Sequence, residues 1–409
     1  MLKTSTSAAT NKLSNKRSNK LLGLEGLRFF ATFSVLIWHY QHFAYVGDRP
    51  VDLIRSELPF YSLLFPFYEI GNYGVWIFWC ISGFIFFWKY REAISDRSVS
   101  GWSFFVFRLS RLYPLHFATL LLVALLQPIY FALNEAFFVY QNNDIPNFLA
   151  QLLMASDWGP MRSDSFNGPI WSVSVEVLVY AVFFLTLRFA TKSPLFNVVV
   201  VIVCANVPLQ VCSCLTFFYA GGLAAIARQD IAQARWRRAI EIAMWCAAAL
   251  IPIAIGVLST HVTIVVWICL LAYTPILLFC LAGEMPLPRR LQQPLEIAGN
   301  MTYSCYLLHF PIQLSIVTAC SLLRLPIPYH DELFWVTFVF GTLLASHLVY
   351  RHFEAPAQRL IRSSLLSTQT ANVRFVARLA LPFIASAAKQ CRSLLWKQTG
   401  LLRRLRSSQ

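Results

Sequence analysis

Arg28 and His39 close the two ends of the stretch RFFATFSVLIWH, with ten uncharged residues between them. Eleven residues at ~100° each come close to three full turns, so on a helix both side chains share one face, about 16 Å apart along the axis. An imidazole inside an apolar segment needs a hydrogen-bond partner and is a candidate base; a packed structural histidine is the alternative. The guanidinium at the other end either grips an anion or reaches back to a membrane interface. Further along, IWSVSVEVLVY puts Glu176 inside a second apolar segment. A carboxylate at the centre of a membrane helix costs ~3 kcal/mol, which demands a partner or a cavity. If the two helices are neighbours, Glu176 meets His39 at similar depth and orients its ring for base catalysis. Pairing with an arginine, merely to hold helices together, is the alternative.

Three more groups have the right chemistry. FRLSRLYP sets Arg108 and Arg111 one helical turn apart. With Arg28 they make three guanidinium groups around one mouth, suited to a ligand with several phosphates; lipid headgroup contact is the alternative. His309, in YSCYLLHFPI, precedes Pro311 by two residues, and a proline there bends a helix and frees backbone groups that can line a cavity. Its reading stays open between cavity-lining and structural. GVWIFWCISGF offers Ser82 beside Gly83, a small polar spot suited to close helix packing. Nothing near Ser82 in sequence would deprotonate it for a nucleophile's role.

The elements that must position these groups are membrane helices. Of the 409 residues 57% are apolar, 15% aromatic and only 13% charged, a balance that excludes an ordinary soluble domain. Ten stretches are candidates for spanning helices: 22–43, 71–90, 114–133, 169–190, 195–211, 213–228, 239–258, 262–281, 301–322 and 333–352. Only Pro208 and the Cys212/Cys214 pair separate the fifth from the sixth, so a single kinked segment would make nine. Charge favours ten. With both termini cytoplasmic the outside loops hold only Arg49, Arg55, Arg162 and Arg324, and every other Lys and Arg lies inside or at its boundary. The net charge of +15 then answers to anionic inner-leaflet lipid, and no nucleic acid is needed to explain it.

The expected architecture is therefore all-α, a polytopic integral membrane protein of about ten transmembrane helices with both termini cytoplasmic. Residues 1–21 form a basic N-terminal segment, 22–362 the membrane domain and 363–409 a basic amphipathic C-terminal segment; a disordered basic tail is the alternative for the last. Most of the ten cysteines fall in apolar spans as small hydrophobes, and neither a disulfide framework nor a metal-ligand spacing is present. The loops around 44–70 and 134–168 can cover a cavity but are too short for a catalytic domain. Their aromatics, Tyr45, Tyr61, Tyr68 and Trp158, suit either sugar stacking or an interfacial belt.

Taken in order, LEGLR…H, GVWIFWCISGF, FRLSRLYPL, IWSVSVEVLVY, YSCYLLHFPI and YRHFEAP resemble the successive motifs of the membrane-bound acyltransferase 3 family, over Leu24 to Arg359. The resemblance implies a ten-helix membrane protein with cytoplasmic ends. The family's Arg-x10-His element matches Arg28 and His39, which implies His39 as the catalytic residue. Its Arg-x-x-Arg element matches Arg108 and Arg111, on the acyl-CoA side. The Trp-Ser-x-Ser-x-Glu element matches Trp171, Ser172, Ser174 and Glu176, and Tyr-Ser-x-Tyr-Leu-x-His matches Tyr303, Ser304, Tyr306, Leu307 and His309. Trp76 and Val177 stand where many members carry acids, so any role of those acids is absent or moved here.

The resulting expectation is an acyl-CoA-dependent O-acyltransferase in the bacterial cytoplasmic (inner) membrane. Acyl-CoA, acetyl-CoA by family habit, is the donor; a glycan or lipid-linked sugar outside is the acceptor; no metal takes part. His39 and Glu176 are the expected catalytic pair, Arg28, Arg108 and Arg111 the donor-binding groups, and Trp171, Ser174, His309 and Ser82 the cavity lining. His39 either acts as base or is itself acylated. The competing functions are a transporter of an anion or lipid-linked sugar, and an acyl relay serving a separate transferase.

Overall fold

Apolar chain in a membrane must satisfy its backbone N–H and C=O groups internally, which makes helices of the long apolar runs. The computed structural model describes residues 21–158, 165–258, 262–283 and 287–367, and it is helical almost throughout. The basic N-terminal segment and most of the expected amphipathic C-terminal one, as well as Arg162, lie outside the described residues. The chain divides into one unit ending at Gln358 and a second beginning at Arg359; everything below concerns the first.

In chain order the helices are α1 (Leu22–His39), α2 (Tyr61–Ile70), α3 (Gly74–Ser95), α4 (Gly101–Asn134), α5 (Ile145–Leu152), α6 (Ile170–Leu185), α7 (Pro194–Ala205), α8 (Gln210–Asp230), α9 (Arg237–Leu258), α10 (Val262–Leu281), α11 (Arg289–Asn300), α12 (Thr302–Leu323), α13 (Glu332–Val349) and α14 (Ala355–Ser367). A two-stranded hairpin, β1 (Tyr45–Val46) with β2 (Arg49–Pro50), follows a 3₁₀ turn over Tyr40–Ala44. Each of the ten expected stretches falls on a helix. Among the described residues six helical stretches are long and apolar enough to cross a membrane. Helix α1 carries Glu25, Arg28 and His39 within its 18 residues, and α7 has only 12.

Local sequence explains the ends. Ser100 caps α4 by accepting from Ser103 N at 3.1 Å, and Asp331 caps α13 by accepting from Phe334 N at 2.8 Å. Helix α4 thus begins 13 residues before the apolar stretch expected at 114, with Pro114 inside it, and Arg108 and Arg111 stand within the helix rather than ahead of it. Residues 206–209, with Pro208, separate α7 from α8, and the two pack against each other as distinct helices. Pro311 lies inside a continuous α12. It removes the N–H that Leu307 O would accept, and Asn167 Nδ2 donates to that carbonyl instead, at 3.2 Å. The freed group is used for tertiary bonding, not for lining a cavity.

The tightest packing joins α3 to α8. A Cβ on Gly83 would collide with the carbonyl of Phe218, and one on Gly221 with the carbonyl of Cys80. Hydrogen at both positions lets the backbones touch, and the aromatic side chains around them, Phe84, Phe217 and Phe218, are fully buried. Gly341, on α13, has nothing within 4 Å of such a Cβ. Gly221→Ala should therefore cost about 1–3 kcal/mol and lower the thermal unfolding midpoint in detergent, while Gly341→Ala leaves it in place. Equal midpoints would remove the close approach of α3 and α8 from the account.

Candidate active site

Five helices converge on a cavity of about 110 Å³. Each contributes one stripe at helical spacing. Helix α1 supplies Arg28; α3 supplies Phe78, Ser82 and Phe86; α4 supplies Arg108 and Arg111. From α6 come Ser172, Glu176 and Tyr180, four residues apart in turn, and from α12 Tyr303 and Tyr306. The three arginines expected around one mouth do share one cavity, and Ser82 lines it as expected.

Carboxylates, hydroxyls and aromatic rings surround the arginines of this cavity. Arg28 donates to Glu25 Oε2 at 3.3 Å and is 13% exposed, so it does not reach out to an interface. Arg108 donates to Tyr90 Oη at 2.8 Å and lies over the Phe86 ring, 4.7 Å from its centroid. Glu176 lies beside the hydroxyls of Ser82 and Tyr180, which are 3.4 Å from each other, and faces Arg111 and Arg28. A second buried acid, Glu354, is 1% exposed on the π-helical turn Tyr350–Glu354. It accepts from Ser304 Oγ at 2.5 Å and lies within electrostatic reach of Arg111 and Arg28. Lys89, exposed, adds a fourth cation beside the same arginines. Sequence reasoning gave no role to Glu354; an acid inside YRHFEAP, at the end of an apolar helix, was the available signal.

At the far end of α1 the structure builds a second polar group, of imidazoles. His39 is the last residue of α1, and the 3₁₀ turn that follows brings His42 against it, ring centroids 4.9 Å apart. In a 3₁₀ turn residues three apart eclipse, which is the signal that would have found His42. His309 approaches from α12, its centroid 4.6 Å from that of His39. Gln313, one turn on, donates to His39 O at 2.8 Å. The walls are aromatic: Trp38 and Tyr45 from the α1 side, Tyr140 and Phe310 around His42. Tyr306, on the cavity, is one turn from His309, with 6.1 Å between the rings, so α12 links the two groups as α1 does.

Several expected placements are corrected. Glu176 and His39 do not pair: Glu176 faces the arginines, while His39 Nδ1 bonds Val35 O at 2.8 Å. His39 and His309 are absent from the lining of the arginine cavity. Trp171 does not line it either; its ring meets Trp79 edge-on at 5.7 Å. Ser174 points to the chain before α6, accepting from Asp157 N at 3.2 Å through Oγ, and from Trp158 Nε1 at 2.7 Å through its carbonyl. Among the loop aromatics Tyr68 is buried, its hydroxyl donating to Pro59 O, so it offers no platform for a sugar, whereas Tyr45 faces His42.

Guanidinium groups at one end of a helix and imidazoles with open ring nitrogens at the other are suited to holding an anionic ligand while moving a proton at a distance from its charge. The chain matches the family model described as an acyltransferase domain over residues 21–351. It is 28% identical over 178 residues to the acyltransferase MdmB of Streptomyces mycarofaciens, which covers 43% of this chain and 41% of that protein. The match thus spans well under half of the relative's length. No solved structure matches. With six apolar helices of spanning length among the described residues and a family match over most of its length, this membrane protein belongs to the acyltransferase 3 family.

Proposed function

We propose that the protein is an acyl-CoA-dependent O-acyltransferase that passes an acyl group, acetyl by family habit, from cytoplasmic acyl-CoA to a hydroxyl of an extracytoplasmic or surface glycan. The observation that carries this reading is the presence, on one helix, of an arginine cavity at Arg28 and an imidazole cluster at His39, about 16 Å of helical rise apart. Coenzyme A has its phosphates at one end of a long thin arm and its thioester at the other. Arg28, Arg108 and Arg111 would hold the phosphate end through paired charge-assisted bonds. His39 would act on the acyl carbon's side as base toward the acceptor hydroxyl. Glu176 then serves as counter-charge to the arginines, not as the partner of His39.

The reading also requires a sidedness. With ten crossings of the bacterial inner membrane and both termini inside, Arg28 lies toward the cytoplasm and His39 toward the outer face, as the distribution of Lys and Arg supports. A donor made inside then meets an acceptor already outside, and no activated sugar has to cross.

Four measurements test this. Arg108→Ala with Arg111→Ala should weaken coenzyme A binding to the purified protein at least about tenfold, since each charge-assisted bond contributes ~1.5–3 kcal/mol; unchanged affinity by calorimetry would reassign both to structure. His39→Ala should lower acyl transfer by about 10²-fold or more while coenzyme A affinity stays within twofold. Mass spectrometry of surface polysaccharide from cells with the gene intact, deleted or carrying His39→Ala reads the same step, and identical ester content in all three overturns the glycan reading. Asp52→Cys, in a chain stripped of its ten native cysteines, should react with an impermeant maleimide in intact cells; labelling only after permeabilisation reverses the sidedness.

A further inference from the structure

The catalytic imidazole of an acyltransferase usually has a carboxylate to stabilise the imidazolium that forms when it takes a proton. Here the carboxylates Glu176 and Glu354 lie at the arginine end of the molecule, Glu354 buried and bonded to Ser304. What His39 has instead is His309.

The tautomers of both rings are fixed by the backbone. A carbonyl oxygen only accepts, so the His39 nitrogen 2.8 Å from Val35 O, Nδ1, carries the hydrogen, and the lone pair is on Nε2. His309 Nδ1 lies 3.3 Å from Cys305 O by the same i to i−4 geometry, so its lone pair is on Nε2 as well. That Nε2 is buried and has no hydrogen-bond partner among the described residues, on a side chain 1% exposed. A buried, unpartnered acceptor is costly unless some state of the molecule supplies a donor. His42 flanks His39 on its other side, but its polar neighbour is the Gln313 side chain, an amide that donates as well as accepts, so its tautomer is not fixed.

We infer that His309 is the positioning partner of His39: its Nε2 lone pair accepts the hydrogen bond from the Nε2–H that His39 acquires when it deprotonates the acceptor hydroxyl. The inference rests on the acyltransferase reading above. In the step, the acceptor O–H bond breaks and its proton goes to His39 Nε2, where it is shared with His309 Nε2. The oxygen forms its bond to the acyl carbon, the thioester C–S bond breaks, and the departing sulfur takes the proton to leave as the free thiol. Both imidazoles return to their neutral tautomers, and ester and thiol account for every atom of thioester and alcohol.

The test uses full-length protein in proteoliposomes, radiolabelled acetyl-CoA as donor and host surface polysaccharide stripped of its esters by mild base as acceptor. His309→Phe keeps an aromatic ring against His39 and lacks the lone pair. It should keep the wild-type unfolding midpoint and KM values within twofold, while kcat falls by about 10²-fold. His309→Ala should lose kcat likewise and regain it with added imidazole, in order of basicity among substituted imidazoles, but not with pyrrole, which has the same shape and no basic nitrogen. If His309→Phe turns over within threefold of wild type, or if pyrrole restores His309→Ala as well as imidazole does, His309 is packing only and the inference falls. Should His309→Phe fail to fold, the imidazole and pyrrole comparison decides alone. A wild-type protein that esterifies no hydroxyl overturns the proposed function itself, an outcome distinct from an active wild type matched by its variants.

Discussion

Guanidinium groups in an apolar helical bundle are tolerated only where opposite charge and aromatic faces replace the water they give up, and this requirement organises the molecule. Arg28, Arg108 and Arg111 stand on two helices; Arg28 pairs with Glu25 on its own helix, and the other groups around the three come from elsewhere: Glu176 and Tyr180 from α6, Phe86 and Tyr90 from α3, Glu354 from the turn after α13. The cavity draws on five helices, and Phe86, stacked on Tyr180 at 4.3 Å, forms part of its wall with Phe218 packed against it from behind.

That arrangement leaves no carboxylate for the imidazoles. Both acids lie toward the arginines, and the hydrogen bonds around His39 are made with the backbone: His39 Nδ1 with Val35 O, His309 Nδ1 with Cys305 O, and Gln313 Nε2 with His39 O. The two ends of the molecule consequently differ in kind. One gathers guanidinium and carboxylate groups; the other is aromatic and holds open polar atoms, with His42 Nδ1, His309 Nε2 and Gln313 Oε1 all buried without a partner among the described residues. Helices α1 and α12 each span from one to the other.

Proline and glycine set the tolerances of this layout. Pro311 breaks one backbone bond of α12 within a turn of His309, and Asn167 repairs it from the chain before α6, which ties the histidine's helix to the helix that carries Glu176. Gly83 and Gly221 bring α3 and α8 into backbone contact beside Ser82, so the serine's position against Glu176 is fixed by a packing that no bulkier residue permits.

The sequence by itself determined what depends on one helix at a time. The 3.6-residue period placed Arg28 and His39 on one face, and Arg108 with Arg111 one turn apart; the apolar stretches located ten helices among the described residues. It also named the arginine cluster, because guanidinium groups in a membrane must converge on something. The tertiary structure alone decided which faces meet. Depth and rotation of one helix against another come from long-range packing, so Glu176 turned to the arginines and not to His39, Ser174 to the preceding loop, and Trp171 to Trp79. His42 and Glu354 escaped notice for the same reason: a 3₁₀ turn and a π turn carry them away from the α-helical register by which the sequence was read.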